Sequence, residues 1–375
     1  MLLVGAGLLM RSFSQLTGVE RGFDTRQRLF FSVSLPGSIP GPQRWQLAAQ
    51  FLERVQALPY VKSAAVVSQR PLGQGNTGLG FGAPGQERAD RDVPWASWRL
   101  ISPDCFKALG MPILAGRTFI PQEGGNSRTE GPVVVSRRVA DMLYPNQDPV
   151  GRPITLWKGQ GNRPGRIIGV VADMRERGLD SEPSLAVYLP GARIGWQSWE
   201  YVVHTGITPM QAVPALRSIL AEVNPALPLY GVSTMDDMVS RSVAPQHFVT
   251  FMLGMFAGLA LLLALAGVYG VLSYWLNRRT AEIGLRAALG AGKRDILGVT
   301  ISQGMKPVLV GVAGGLTGSV LLSGYLETLL FEIKAADFLT YVSGAGVVTL
   351  TALISCMLPA LRAARIDPAR ALRNE

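Results

Sequence analysis

Histidine and cysteine are almost missing from this sequence: each occurs twice in 375 residues. Cys105 lies in the first half and Cys356 lies inside a long apolar run, so a disulfide framework is not what organises the chain. With His204 and His247 as the only imidazoles, a structural zinc site is equally disfavoured. No G-x-S-x-G or H-E-x-x-H string occurs, which removes two common hydrolase arrangements. Acidic residues are also in short supply, 26 against 36 Lys and Arg, and the net charge is +10. The basic residues form no long run, so nucleic-acid binding is a poor explanation of that excess.

Charge of either sign is absent from three long stretches: Val249 to Leu276, Pro307 to Leu326 and Phe338 to Leu361. A spanning helix needs about 20 predominantly apolar residues. All three stretches qualify, and the first is long enough to tilt or to project beyond the bilayer. They contain no ionisable residue of the kind ion-coupled carriers keep at membrane depth. Glycines such as Gly311, Gly314, Gly315 and Gly318 suit close helix packing in lipid. The opening MLLVGAGLLM, Met1 to Met10, is apolar but only half a span long, and it meets Arg11 without a signal-peptide charge order or cleavage site. It is expected to be the outer end of a truncated transmembrane helix, with Met1 an internal methionine or the start of a partial product.

Loop charge sets the orientation by the positive-inside rule. The stretch 277–306 holds six basic residues, Arg278, Arg279, Arg286, Lys293, Arg294 and Lys306. The tail from Arg362 holds Arg362, Arg365, Arg370 and Arg373, whereas 327–337 holds only Lys334 against three acids. The stretch 277–306 and the tail are therefore expected in the cytoplasm. The loop 327–337 and the large segment 11–248 are expected outside.

That large segment mixes short β-branched runs with helical patterns. Strands are expected at 28–34, 63–68, 95–101, 132–136, 166–172, 185–189, 200–205 and 227–232. Helices are expected at 42–57, 103–109, 136–143, 209–223 and 234–243, with Ser102 and Pro103 resembling a cap and first helical residue. The glycine-rich 73–85 and the stretch 121–131 read as exposed, mobile loops. Asp236 and Asp237 after Thr234 read as a helix start, with acids near the positive end of the dipole. The fold class is an α-helical transmembrane bundle plus a large α+β extracytoplasmic domain, with domains at 1–10, 11–248 and 249–375.

One stretch invites a nucleotide reading and fails it. GAGKR, Gly290 to Arg294, is out of register with a phosphate loop: Ala287 stands at the first glycine position and Arg294 at the Ser/Thr position.

RRTAEIGLRAALGAGKRDI, Arg278 to Ile296, resembles the E-I-G-[IL]-R-x-A-L-G-A stretch of the MacB/FtsX-like ABC permeases. LPALRAARIDPARALRNE, Leu358 to Glu375, resembles that family's closing motif. SPDCFKALGMPILAGRTF, YPNQDPVGRPI and IIGVVADMRERGLDSEPSLAVYLP resemble stretches of its periplasmic core. The layout is most similar to a C-terminal half of the tandem-half bacterial permeases. The resemblance covers essentially the whole chain, but 327–337 lacks the Gly and Pro that relatives carry in that turn.

The resemblance implies a non-enzymatic permease half of an ABC-type exporter in the bacterial inner membrane. It would couple ATP hydrolysis by a partner to movements of the outside domain by mechanical transmission. The alternative is an FtsX-like regulatory module that activates an envelope protein and transports nothing. No cofactor is expected on this chain; ATP and Mg would bind the partner ATPase. The implied partners are that cytoplasmic ABC ATPase, a second permease half or homodimer partner, a periplasmic adaptor and membrane lipid, but no nucleic acid. Coupling to the ATPase is assigned to Glu282, Ile283, Gly284, Leu285, Arg286, Ala288, Leu289, Gly290 and Ala291. Glu282 and Arg286 can pair across one helical turn, and Leu285, Ala288 and Leu289 flank them. From the residues alone, a helix lying on anionic headgroups fits as well. Arg278, Arg279, Lys293, Arg294, Arg362 and Arg365 set the orientation.

Overall fold

The structure is a computed structural model that describes residues 1–18, 21–73, 77–85, 92–123, 130–176, 178–193, 196–279, 292–326 and 337–363. The chain forms two compact units, Val19–Ala244, and Met1–Gly18 with Pro245–Glu375. In chain order the helices are α1 (Leu2–Gly18), α2 (Gly41–Gln56), α3 (Cys105–Leu109), α4 (Arg137–Leu143), α5 (Val213–Val223), α6 (Met235–Arg278), α7 (Lys293–Leu326) and α8 (Phe338–Ala363). The strands are β1 (Arg28–Ser34), β2 (Val61–Val67), β3 (Gly78–Gly82), β4 (Trp95–Ile101), β5 (Ile113–Gly116) and β6 (Gly131–Ser136), then β7 (Pro153–Leu156), β8 (Arg163–Val171), β9 (Ala186–Pro190), β10 (Ser198–Thr205) and β11 (Leu229–Thr234).

One eleven-stranded sheet builds the first unit, with β5 paired on β8 off the main path. The order β11-β1-β10-β2 is its open antiparallel part, which continues into β4. From β4 the path runs through β3, β7, β8, β6 and β9, and β9 pairs back onto β4 in parallel. Those six strands close a ring, and closure removes their free edges. β2 and β4 share one register pair, Val67 with Ile101. Two buried serines reinforce that join: Val66 N–H donates to Ser102 Oγ and Leu100 N–H to Ser68 Oγ, each at 3.0 Å. Ser102 therefore braces strands. The α3 helix starts at Cys105 with Asp104 at the capping position, which corrects the cap expected at Ser102.

Periodicity explains the core. On α2, Ala48, Phe51, Leu52 and Val55 are buried at helical spacing, one face against the open sheet. Tyr201 on β10 stacks on Phe31 of β1 at 5.1 Å and takes Phe51 edge-on at 5.0 Å. Burying each such ring contributes about 1.5–3 kcal/mol.

The glycine-rich 73–85 is not the exposed loop its composition suggests. β3 lies within it, and Leu79 and Phe81 are fully buried. Its alternate glycines face crowded ground: a Cβ on Gly80 would stand 2.9 Å from Lys158 O, and one on Gly78 3.0 Å from the Trp95 ring. Glycine here permits close strand approach, not a turn.

Among the described residues, the second unit contains three helices long and apolar enough to cross a membrane. α6 is one helix of 44 residues, about 66 Å at 1.5 Å per residue and so about twice the hydrocarbon thickness. The boundary between the units, Ala244 to Pro245, falls inside it. Its start is a reciprocal capping box, with Asp237 N–H donating to Thr234 Oγ1 at 3.1 Å and Thr234 N–H to Asp237 Oδ2 at 3.3 Å. This bears out the helix-start reading of the two aspartates.

Contacts between these apolar helices use small groups. A Cβ on Gly304 of α7 would stand 2.7 Å from Cys356 Sγ of α8, and one on Gly7 of α1 would stand 2.9 Å from Thr340. Ser355 Oγ donates to Leu265 O at 3.0 Å across α8 and α6. Outward residues such as Leu263 and Leu321 are three-quarters exposed, which suits a hydrocarbon solvent rather than water.

Candidate functional site

Residues 282–291, the stretch assigned to coupling, lie outside the described residues, as does Arg365. Their flanks are described. At the end of α6 the guanidinium of Arg278 lies 5.4 Å above the Tyr274 ring, and that of Arg279 lies 4.9 Å above Trp275. Aromatic rings beside cations are the usual furniture of a membrane–water boundary. α7 begins at Lys293, followed by Arg294, and Arg362 falls in the last turn of α8. Five of the six cations assigned from the sequence to orientation thus sit at ends of long apolar helices.

The opposite helix ends meet as well. Arg11 of α1 pairs with Asp337, the residue before α8. Asp337 also accepts from Thr340 N–H at 3.2 Å, so it caps α8 while holding Arg11. Its carboxyl is held below the usual range chiefly by the Thr340 hydroxyl, with Arg11 adding to the effect. Phe13 meets His247 of α6 edge-on at 5.5 Å. The end of α1, the start of α8 and the His247 region of α6 therefore lie together.

In the first unit, the stretches that resemble the periplasmic core do structural work. Arg99 on β4 and Glu176 form an ion pair at 2.8 Å, both almost fully buried. Ser97 donates to the same carboxylate, and Arg99 donates to Gln69 O at 2.7 Å. Gly110 ends α3 at φ +68, where a Cβ would stand 2.6 Å from buried Arg28. Arg28 in turn holds Asp24 at 2.9 Å and Ala108 O at 2.7 Å. Sequence reasoning passes over Arg99 and Glu176, although a lone arginine inside the apolar run WASWRLI is a usable signal.

Among the described residues nothing resembles a catalytic constellation. No group of three or more His, Cys, Asp or Glu is placed to hold a metal. Burial pushes the Cys105 thiol up to about 12, so it is not a thiolate nucleophile at neutral pH. His204 is pushed down by burial, with Arg28 and Lys62 adding to the effect.

Comparison with known proteins accounts for this division. A model of the MacB-like periplasmic core domain matches residues 1–226, more than half of the chain, and one of the FtsX-like permease C-terminal domain matches 254–368. The chain belongs to the MacB/FtsX-like permease family. It is similar to the pyoverdine export ATP-binding/permease protein PvdT of Pseudomonas syringae pv. syringae, 29% identical over 92% of this chain and 51% of that protein. It is also similar to the macrolide export ATP-binding/permease protein MacB of Escherichia coli K12, 30% identical over 75% of this chain and 44% of that protein. The chain thus spans about half the length of the curated relatives it matches. The crystal structure of the periplasmic region of MacB from Actinobacillus actinomycetemcomitans aligns at a TM-score of 0.38 with 17% identity, covering 60% of this chain and 95% of that one. As a MacB/FtsX-like permease with three apolar helices and an extracytoplasmic domain, the protein is a multi-pass inner-membrane protein.

Proposed function

We propose that this chain is the permease part of an ABC-type exporter that transmits motion from a cytoplasmic ATPase to its extracytoplasmic domain. The observation that carries this reading is α6. It is one helix from the capping box at the end of β11 to Arg278, and the family's E-I-G motif opens just beyond it at Glu282. A continuous hydrogen-bonded rod passes displacement along its axis better than a flexible linker does. Uncharged spans support mechanical transmission over a proton-coupled route.

The ATPase contact is assigned to Glu282 through Ala291. Glu282 and Arg286 would present a charge pair on a short apolar helix, which docks in a groove of the partner. ATP and Mg would bind that partner, not this chain. A second permease half or a second copy would complete the transporter, with cargo handled outside the membrane.

The test is co-purification with the cognate ATPase. Glu282→Lys combined with Arg286→Glu weakens association at least about tenfold while thermal unfolding of the permease is unchanged. Undiminished co-purification rules out docking on this face. If the native complex forms but ATP drives no export and instead activates an envelope protein, the regulatory reading replaces export.

A further inference from the structure

Three tryptophans gather at the end of the six-stranded ring near the β7–β8 turn. Trp98 lies between Ala96 and Leu100 on the core-facing side of β4, and all three tryptophans pack on the core cluster while staying partly exposed. The Trp98 ring stands 5.7 Å from Trp157 at 62° and 5.6 Å from Trp196 at 83°. In each edge-to-face pair one ring turns its edge to the other's face, so the three rings form an angular apolar surface rather than a stack.

The turn that presents Trp157 is unusual. Trp157 has φ +51, in the left-handed region that bulky side chains rarely take. The backbone fixes it there: Gln160 N–H donates to Trp157 O at 2.8 Å, Asn162 N–H to the same oxygen at 3.2 Å, and Lys158 N–H to Gly80 O at 3.0 Å. Backbone held in a sparsely populated region is a reason to look for function.

A cation completes the arrangement. Arg163 lies with Cζ 4.8 Å above the Trp157 ring. Among the described residues its side chain has no hydrogen bond and no carboxylate partner, so the fork of donors is oriented by stacking alone. The surrounding segment 148–173 carries Arg152, Lys158, Arg163 and Arg166 against Asp148 and Asp173, and Arg166 is paired with Glu130 at 3.1 Å.

We propose that this end of the ring is a binding site for an amphipathic anion, with a flat apolar body against Trp98, Trp157 and Trp196 and a carboxylate, sulfonate or phosphate on Arg163. The charge selects the class. A guanidinium pairs with an oxyanion through two parallel hydrogen bonds, and the local excess of cations repels a positive ligand. Barrel mouths lined by aromatics with one or two polar anchors are a common setting for small-molecule sites. The inference does not depend on the ATPase coupling proposed above.

The experiment uses the full chain in lipid nanodiscs and titrates 2-naphthalenesulfonate by saturation-transfer NMR, with empty nanodiscs subtracted. Neutral 2-naphthol and a naphthylmethyl trimethylammonium ion are titrated in parallel. Saturable binding of the sulfonate is expected, with weaker binding of the alcohol and none of the cation. Arg163→Met weakens sulfonate binding by about tenfold and leaves 2-naphthol unchanged, as loss of one charge-assisted pair predicts. Trp157→Ala weakens both. Because that change removes a turn residue, near-ultraviolet circular dichroism checks that the fold survives, and Arg163→Met carries the decision on its own. No saturable sulfonate binding, no loss in Arg163→Met, or equal binding of the cation overturns the proposal.

Discussion

The two units solve the same packing problem with opposite materials. The extracytoplasmic unit buries charge: Arg28, Arg99, Arg175 and Glu176 are all less than a tenth exposed. The membrane unit has no charge in its spans and packs glycine, serine, threonine and cysteine at helix contacts. Water makes this difference. In the outer unit, apolar burial drives collapse and leaves a surplus from which a paired arginine can be ordered. In the bilayer no such drive exists between helices, so close backbone approach and a few hydrogen bonds must suffice. One unit is specified by side-chain partners, the other by the absence of side chains.

The largest expected effect tests the first half of that contrast. Glu176→Ala strands Arg99 inside the domain and costs about 3–5 kcal/mol. Six of the seven tryptophans, all but Trp275, belong to this unit, so their fluorescence follows its thermal unfolding in the full chain. Replacing both partners, Arg99→Met with Glu176→Leu, recovers most of the loss. An unchanged unfolding temperature in Glu176→Ala would break the comparison.

The next effect tests the second half. Gly304→Val drives a side chain into Cys356 and costs about 1–3 kcal/mol by overpacking. Gly311→Val, on the same helix, meets nothing within 4 Å and should leave the bundle unchanged. The readout is thermal loss of helical circular dichroism in one detergent. Equal behaviour of the two variants would mean that glycine there is not a contact device.

The smallest effect is electrostatic. Burial works to raise the Asp24 carboxyl, but the Arg26 backbone and side chain, with Arg28, overcome it and hold its pKa at about 2. A carboxyl lowered on folding stabilises the folded state above its unfolded value, near 4, and that stability is lost as pH falls towards about 2. Asp24→Asn should therefore flatten the acid limb of the unfolding curve in that window and weaken Arg28's anchorage. An acid limb of unchanged steepness would show that the pair contributes nothing.

Much of this fold is legible in the sequence where apolar patterning is unbroken. The strands at 28–34 and 95–101 coincide with β1 and β4 residue for residue, and the three uncharged runs lie inside α6, α7 and α8. Three strands are not legible. In β3, glycines occupy every second position, so only Leu79 and Phe81 mark the strand and the run reads as a loop. β5 and β7 have four residues each, too short for a period to register. The start of α6 reads as a separate helix at 234–243 because Pro245 interrupts the pattern, yet the helix continues through it. As for sites, the coupling stretch 282–291 is legible only through its resemblance to relatives. Trp157 is not legible at all, because a left-handed tryptophan is a property of its turn and leaves no mark on residue type.

The central claim is that α6 carries motion as a rigid rod, and a break in the rod tests it most directly. Three glycines inserted between Ala244 and Pro245 interrupt the helix without touching residues 282–291. The full chain is assembled with its cognate ATPase and trapped with ATP and vanadate, and amide hydrogen exchange is measured across Leu229–Asp237. The account predicts that trapping changes exchange there in the native complex and not in the insertion variant, while both retain the ATPase. An identical change in the two complexes, or none in the native one, would contradict it.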